Sequence, residues 1–276
     1  MNIKGWKCYN HAVVPSTPPT VETDISCVEH GDVWKLGGVI LARWTSDFDC
    51  GYETNWWYVI KDSPFDISVL KAKRRYEINK GIKNFDVKQI KAVEYKNELL
   101  DIQSAAFATY LKKCRPVIDK QKFLDGVSKW NINYDVFGLF AKDDGKIAGY
   151  ALLAKRSNSF LDFTTLKVNP AYEKLGANAA MVNGILEHYA DFLSGNGMIC
   201  DGSRSVNHET KFQDYLEKYF GFRKAYCKLN VVYNPKYRGL IKLLYHFRNI
   251  LKCFDNIGTV HGINGILKME DVVRGQ

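Results

Sequence analysis

Between Ser159 and Leu193 the spacing of apolar residues changes once, from a period of two to a period near four. Leu161, Phe163 and Thr165, with Leu166 and Val168 after them, predict a half-buried strand over Phe160–Val168. Asn169-Pro170 ends it, because proline has no N–H and disfavours helical backbone in the residue before it. Beyond Gly176, Ala177, Met181, Ile185, Tyr189 and Phe192 recur at helical spacing. The first turn of such a helix offers free N–H groups and the positive end of a dipole, where an anion can bind. Any strand–turn–helix shares that shape.

The same reading carries along the chain. Residues 1–35 show no sustained period and contain Pro15, Pro18 and Pro19. Gly38–Thr45 and Asn55–Ile60 read as strands, and Asp66 as the N-cap of a basic helix over Ile67–Lys80 that Gly81 stops. Phe85–Val93 alternates as a strand; Leu99–Leu111 and Asp119–Trp130 read as helices. Tyr134–Ala141 and Lys146–Lys155 flank Asp143-Asp144-Gly145, the strongest hairpin signal in the chain. Met198–Asp201 is a short strand, and a helix follows with Phe212, Tyr215, Leu216, Tyr219 and Phe220 on one face, closed by Gly221. Phe222–Tyr233 is a long strand and Leu240–Phe254 an amphipathic helix.

Composition sharpens this only in part. With 46% apolar and 25% charged residues the chain is an ordinary globular one. No apolar run approaches the roughly 20 residues of a membrane span, and no signal-peptide pattern opens it, so the expected location is cytoplasmic. Reduced cysteines are then expected. Cys8-x-x-His11 and Cys27-x-x-His30 have zinc-ligand types, but prolines separate them without a finger-like helix, and no metal is expected. The net charge of +9 suits acidic partners, and an ordinary basic surface equally.

Residues 95–233 run helix, helix, three strands, helix, strand, helix, strand. This order resembles the GNAT acyltransferase fold. Val168-Asn169-Pro170-Ala171-Tyr172 is similar to that family's strand end, and Asn207 through Tyr215 to Tyr219-Phe220-Gly221-Phe222 to its closing helix and strand. Ahead of it, Lys73-Arg74-Arg75 and Ile78 in the basic helix resemble the Fem-type aminoacyl transferases, which carry two GNAT-like units, the first incomplete. The resemblance implies an α+β fold: a GNAT-like mixed sheet flanked by helices, preceded by an incomplete second GNAT-like unit. The expected domains are 1–94, 95–235 and a C-terminal helix and tail over 236–276.

The resemblance also implies transfer of an acyl or aminoacyl group onto an amine of a sugar or peptide precursor, from acyl-CoA or from aminoacyl-tRNA. Leu175, Gly176, Ala177 and Asn178 stand at the family's cofactor crossing. Glu173 and Asn178 occupy the places of a cation and a small residue there, so only Gly176 matches. Beside the expected splay of the sheet, Asp201, Ser203, Arg204, Asn207 and His208 form the densest polar cluster. His208 is the candidate base, Tyr215 or Tyr219 by the same resemblance the candidate leaving-group acid, Asp201 a further catalytic candidate or else a partner of Arg204, and Arg204, Asn207 and Ser203 candidate substrate contacts. Asn207 equally fits an N-cap, and Tyr215 a core position. Arg74 and Arg75, in the basic helix Lys71–Lys80, are candidates for a substrate or tRNA phosphate, against the plainer reading of a solvated face. Leu240–Phe254 more simply packs on its own domain than on a membrane. No GxSxG elbow or paired Cys/His motif suggests a covalent intermediate. The other class open to the sequence is a non-catalytic binding protein of GNAT fold that has lost the CoA loop.

Overall fold

Asn10 and His11 both adopt left-handed backbone, with φ of 46° and 62°, and their two-residue turn closes a hairpin where an irregular stretch is expected. The signal is weak in sequence because the turn lacks glycine and each strand is four residues long. The computed structural model describes residues 3–110, 115–206 and 211–275. Asn207 and His208 lie outside these, as do Leu111 and the residues up to 114.

In chain order the hairpin is β1 (Trp6–Tyr9) and β2 (Ala12–Pro15), followed by α1 (Ser26–Glu29), β3 (Leu41–Ser46) and β4 (Trp56–Lys61). Next come α2 (Ala72–Asn84), β5 (Phe85–Gln89), α3 (Lys96–Ala108), α4 (Lys120–Val127) and α5 (Trp130–Asn133). The meander is β6 (Tyr134–Ala141), β7 (Ile147–Ser157) and β8 (Phe160–Val168). Then follow α6 (Ala177–His188), α7 (Ala190–Ser194), β9 (Met198–Ser203), α8 (Lys211–Phe220) and β10 (Arg223–Tyr233). The chain ends in α9 (Pro235–His246), α10 (Arg248–Lys252) and α11 (Gly258–Arg274).

The chain groups into two compact units. One comprises Met1–Val59, Ser203–Lys211 and Lys224–Gln276; the other comprises Ile60–Gly202 and Phe212–Arg223. In the first, strands are ordered β1-β2-β3-β10-β4, with β2 and β3 parallel and β3 and β10 antiparallel. Leu41, Trp56, Cys227 and Leu229 of this sheet pack with Met269 and Val272 of α11. The sequence reading has no element at α11, whose pattern is interrupted by Gly262 and Gly265. A second cluster gathers Trp6, Val13, Val28, Val33, Val39 and Ala42.

In the second unit the order is β9-β8-β7-β6-β5, antiparallel throughout except for the parallel pair β8 and β9. Gly145, at φ 70°, turns β6 into β7 as the Asp-Gly signal predicts. On one side Leu99 and Ile102 of α3 and Val127 of α4 pack with Val136, Tyr150 and Leu152. Tyr150 lies buried in this cluster, and its hydroxyl donates to Gln103 at 2.6 Å, which satisfies the phenol. Within α6, Met181, Val182, Ile185 and Leu186 are buried.

Three expected boundaries move. Asp66 does cap, accepting from the Ser68 N–H at 2.8 Å, but only a single turn over Ile67–Val69; the helix proper starts at Ala72. It also runs through Gly81 instead of stopping there. Gly81 is a contact residue: a Cβ on it would lie 2.4 Å from the Gly176 carbonyl oxygen. The strand after it ends at Gln89 because Asn131 bonds both the Ile90 carbonyl and the Ala92 N–H at 2.8 Å, bending the chain into a turn.

Candidate functional site

The sheet of the second unit opens at one place. Strands β8 and β9 pair in parallel as Phe160 with Met198, Leu161 with Ile199 and Asp162 with Cys200. Beyond Cys200 the pairing ceases, although β8 continues to Val168 and β9 to Ser203. Past that point the facing edges of the two strands no longer share a ladder. Asp201 is the first β9 residue past the parting and Phe163 the first on β8.

Helix α8 lines that place. The Phe212 ring meets Phe163 edge-on at 6.1 Å and stacks on Tyr215, which lies 4.9 Å from Tyr219, centroid to centroid. The i, i+3, i+7, i+8 pattern of α8 thus builds an aromatic wall; Leu216 and Phe220 lie fully in the core. The Gln213 side chain hydrogen-bonds the Asp201 carboxylate. Burial nevertheless pushes this acid up to about 7, since the hydrogen bond opposes the desolvation without cancelling it. Asp201 keeps partial exposure, so it can exchange a proton near neutrality and still be reached. Burial first, then Tyr219 and Glu77, raise the Tyr215 hydroxyl, which therefore stays protonated.

The other candidate residues fall as follows. Arg74 of α2 donates to the Lys218 carbonyl at 2.7 Å and lies over the Tyr219 ring at 5.8 Å. Arg75 donates to the Ser68 carbonyl at 3.2 Å. Both arginines hold local structure; of α2's remaining cations Lys73 and Lys83 are exposed and Lys80 is half-buried. Ser203 ends β9. Arg204 belongs to the first unit, where it donates to the Asn55 carbonyl at 2.6 Å and covers Trp57 at 4.7 Å; Lys224 lies 4.5 Å from that same ring. The positions of Asn207 and His208 are outside the described residues. Among the described residues no group of three His, Cys, Asp or Glu could hold a metal, and His11 is spent on the Gly38 carbonyl at 3.1 Å.

The crossing from β8 to α6 is built differently. Asn169 caps the turn Pro170–Leu175, and Gly176 takes left-handed backbone at φ 86° before α6 begins. Helix α2 lies against this corner. A Cβ on Gly176 would stand 2.8 Å from the Gly81 nitrogen, and one on Gly81 would stand 2.9 Å from the Ala180 nitrogen. Asn84 donates to the Leu175 carbonyl at 3.0 Å. Ala177 and Ala179 are buried, and Asn178 only half exposed. The residues present do not fit a CoA pyrophosphate: α2 covers the first turn, Glu173 stands where a cation is needed, and Asn178 brings a side chain where backbone should approach.

No protein-family model and no curated protein matches the sequence. Solved structures do share the fold. The C-terminal domain (DUF2156) of a protein assigned as a lysylphosphatidylglycerol synthetase, from Agrobacterium fabrum, has 13% identity and a TM-score of 0.51, covering 86% of this chain and 82% of that one. L-PGS from Bacillus licheniformis has 14% identity and a TM-score of 0.51 over 83% and 79%. FemX has 9% identity and a TM-score of 0.52 over 76% and 77%. At such identities the likeness is one of fold. The fold is α+β and GNAT-like, and it is shared with FemX and the two other structures. No helix among the described residues is long and apolar enough to cross a membrane.

Proposed function

We propose that the protein is a transferase that moves an aminoacyl group from an ester donor, of the kind carried by tRNA, directly onto an amine. The observation that carries this reading is Asp201, a desolvated carboxyl group with proton affinity near neutrality at the parting of β8 and β9. In this reading Asp201 takes a proton from the acceptor amine as its nitrogen bonds to the acyl carbon. The bond from that carbon to the donor oxygen breaks, and the Tyr215 hydroxyl gives its proton to the departing oxygen. Return of the proton from Asp201 to Tyr215 through solvent resets the pair. The aromatic wall of α8 excludes water from the acyl group, and the cations of α2 supply contacts for phosphate. The amine belongs to a small molecule or peptide precursor.

The closed crossing favours this donor over acyl-CoA. It equally supports one other reading, a binding protein of GNAT fold without catalysis. The discriminating experiment offers charged tRNA and an amine mixture to the purified chain and follows transfer of the labelled amino acid. Transfer that falls on Asp201→Asn while His208→Ala retains most of it supports the assignment. Transfer lost with His208→Ala and kept with Asp201→Asn moves the base to His208. Binding of charged tRNA without turnover leaves the non-catalytic reading, and a micromolar melting shift with acetyl-CoA overturns the choice of donor.

A further inference from the structure

Leu240, Leu243, Phe247, Ile250, Phe254 and Ile257 recur three and four residues apart and form one stripe along α9, α10 and the turn after them. All six are between 49% and 59% exposed. The opposite side of the same helices is used: Ile241 is buried, the Tyr245 hydroxyl donates to Asp271 at 2.7 Å, and Arg248 pairs with Asp271 at 3.2 Å. Leu251 is tied to α11 through its carbonyl, which accepts from Asn264 at 3.1 Å. The helices therefore pack on their own unit by one face, as expected, and present a second apolar face to solvent. Isolated exposed apolar residues are ordinary, but six in register are not.

Charge decides what covers the stripe. From Pro235 to Phe254 the chain carries Lys236, Arg238, Lys242 and Lys252, with Arg248 turned inward to Asp271, and no carboxylate; Asp255 is the first. A second copy laid stripe to stripe would bring two such cationic segments together without acidic partners. An anionic surface meets both features at once, apolar side chains entering the acyl boundary and lysines meeting headgroups. We propose that the outer face of α9 and α10 docks on an anionic phospholipid surface. The proposal stands apart from the identity of donor and acceptor.

The test is co-sedimentation of the full chain with vesicles of equimolar phosphatidylglycerol and phosphatidylcholine, against phosphatidylcholine alone. Binding at least about tenfold tighter to the anionic vesicles is expected, weakening as salt is raised. Leu243→Asp with Ile250→Asp removes binding by tenfold or more, and Lys242→Gln and Lys252→Gln each weaken it about fivefold. These positions are exposed, so an unchanged thermal melt accompanies the loss. No binding to the anionic vesicles overturns the proposal, as does equal binding by wild type and the Leu243→Asp, Ile250→Asp variant. A concentration-dependent dimer in sedimentation equilibrium that the same variant dissolves also overturns it, by giving the stripe to a second copy.

Discussion

The crossing from β8 to α6 and the parting of β8 from β9 begin on the same strand, yet they are finished in opposite ways. At the crossing, backbone meets backbone: Gly81 and Gly176 touch so closely that neither accommodates a Cβ, and Asn84 takes the remaining carbonyl. At the parting, an ionisable group is left desolvated with one amide partner, and aromatic rings line the place. A corner filled by packing contributes stability and no chemistry. A carboxyl group held away from water costs stability and gains reactivity. The pair of features thus separates what the GNAT-like frame retains for structure from what it offers for proton transfer.

The largest expected effect falls at the parting. Asp201→Asn keeps size and hydrogen bonding to Gln213 while removing the proton acceptor, and is expected to lower the rate of acyl transfer by about 10²–10⁴-fold with little change in acceptor KM. A loss below tenfold in single-turnover assays would make Asp201 a structural acid and dissolve the contrast. At the crossing the readout is stability. Helix propensity alone makes Gly81→Ala stabilising by about 1 kcal/mol in the interior of α2. The contact with Gly176 reverses the sign, and destabilisation by about 2–3 kcal/mol is expected in urea unfolding. A stabilised Gly81→Ala variant would mean that α2 does not close the corner.

The pH dependence of stability sharpens the same comparison. The folded-state affinity of Asp201 for its proton is raised, so the protonated form is the one folding favours. Its contribution is complete below the unfolded value near 3.8 and is lost as pH rises through about 7. From this group the melting temperature should decline between pH 4 and 8, and the decline should flatten in Asp201→Asn. Gly81→Ala, by contrast, should lower the whole curve without changing its slope.

Much of this frame is readable from the chain because its signals are local. The strand Phe160–Val168 has the expected ends, and the Asp-Gly hairpin and the aromatic face of α8 follow from side-chain period alone. What escapes depends on distant partners. Gly81 reads as a helix stop because glycine ends helices more often than it packs inside them; only Gly176, far along the chain, explains it. The hairpin at Asn10-His11 and helix α11 have sequences that contradict their structure until the sheet of the first unit shows what they bury. Asp201 is visible as a polar residue at a strand end, but its raised proton affinity comes from burial, which only the folded chain shows. The cluster expected over Asp201–His208 also divides among its described residues: Arg204 is engaged with Asn55 and Trp57, whereas Asp201 lies with Tyr215 in the unit that holds the parting.

The smallest expected effect tests whether α2, having closed the crossing, also serves a donor. Arg74 has two local tasks, the Lys218 carbonyl and the Tyr219 ring, so Arg74→Ala should cost about 0.5–1 kcal/mol of stability. If α2 does no more than pack, binding of charged tRNA is then unchanged once the stability loss is allowed for. If its exposed cations meet the donor, removing Lys73 or Arg75 should weaken binding irrespective of tRNA sequence and reduce the slope of log Kd against log salt by about 1 per residue. Arg75 meets the Ser68 carbonyl at 3.2 Å and is exposed, so Arg75→Ala separates the two tasks most cleanly. A full salt slope in Arg75→Ala and Lys73→Ala would leave α2 as packing alone and place any donor contact elsewhere.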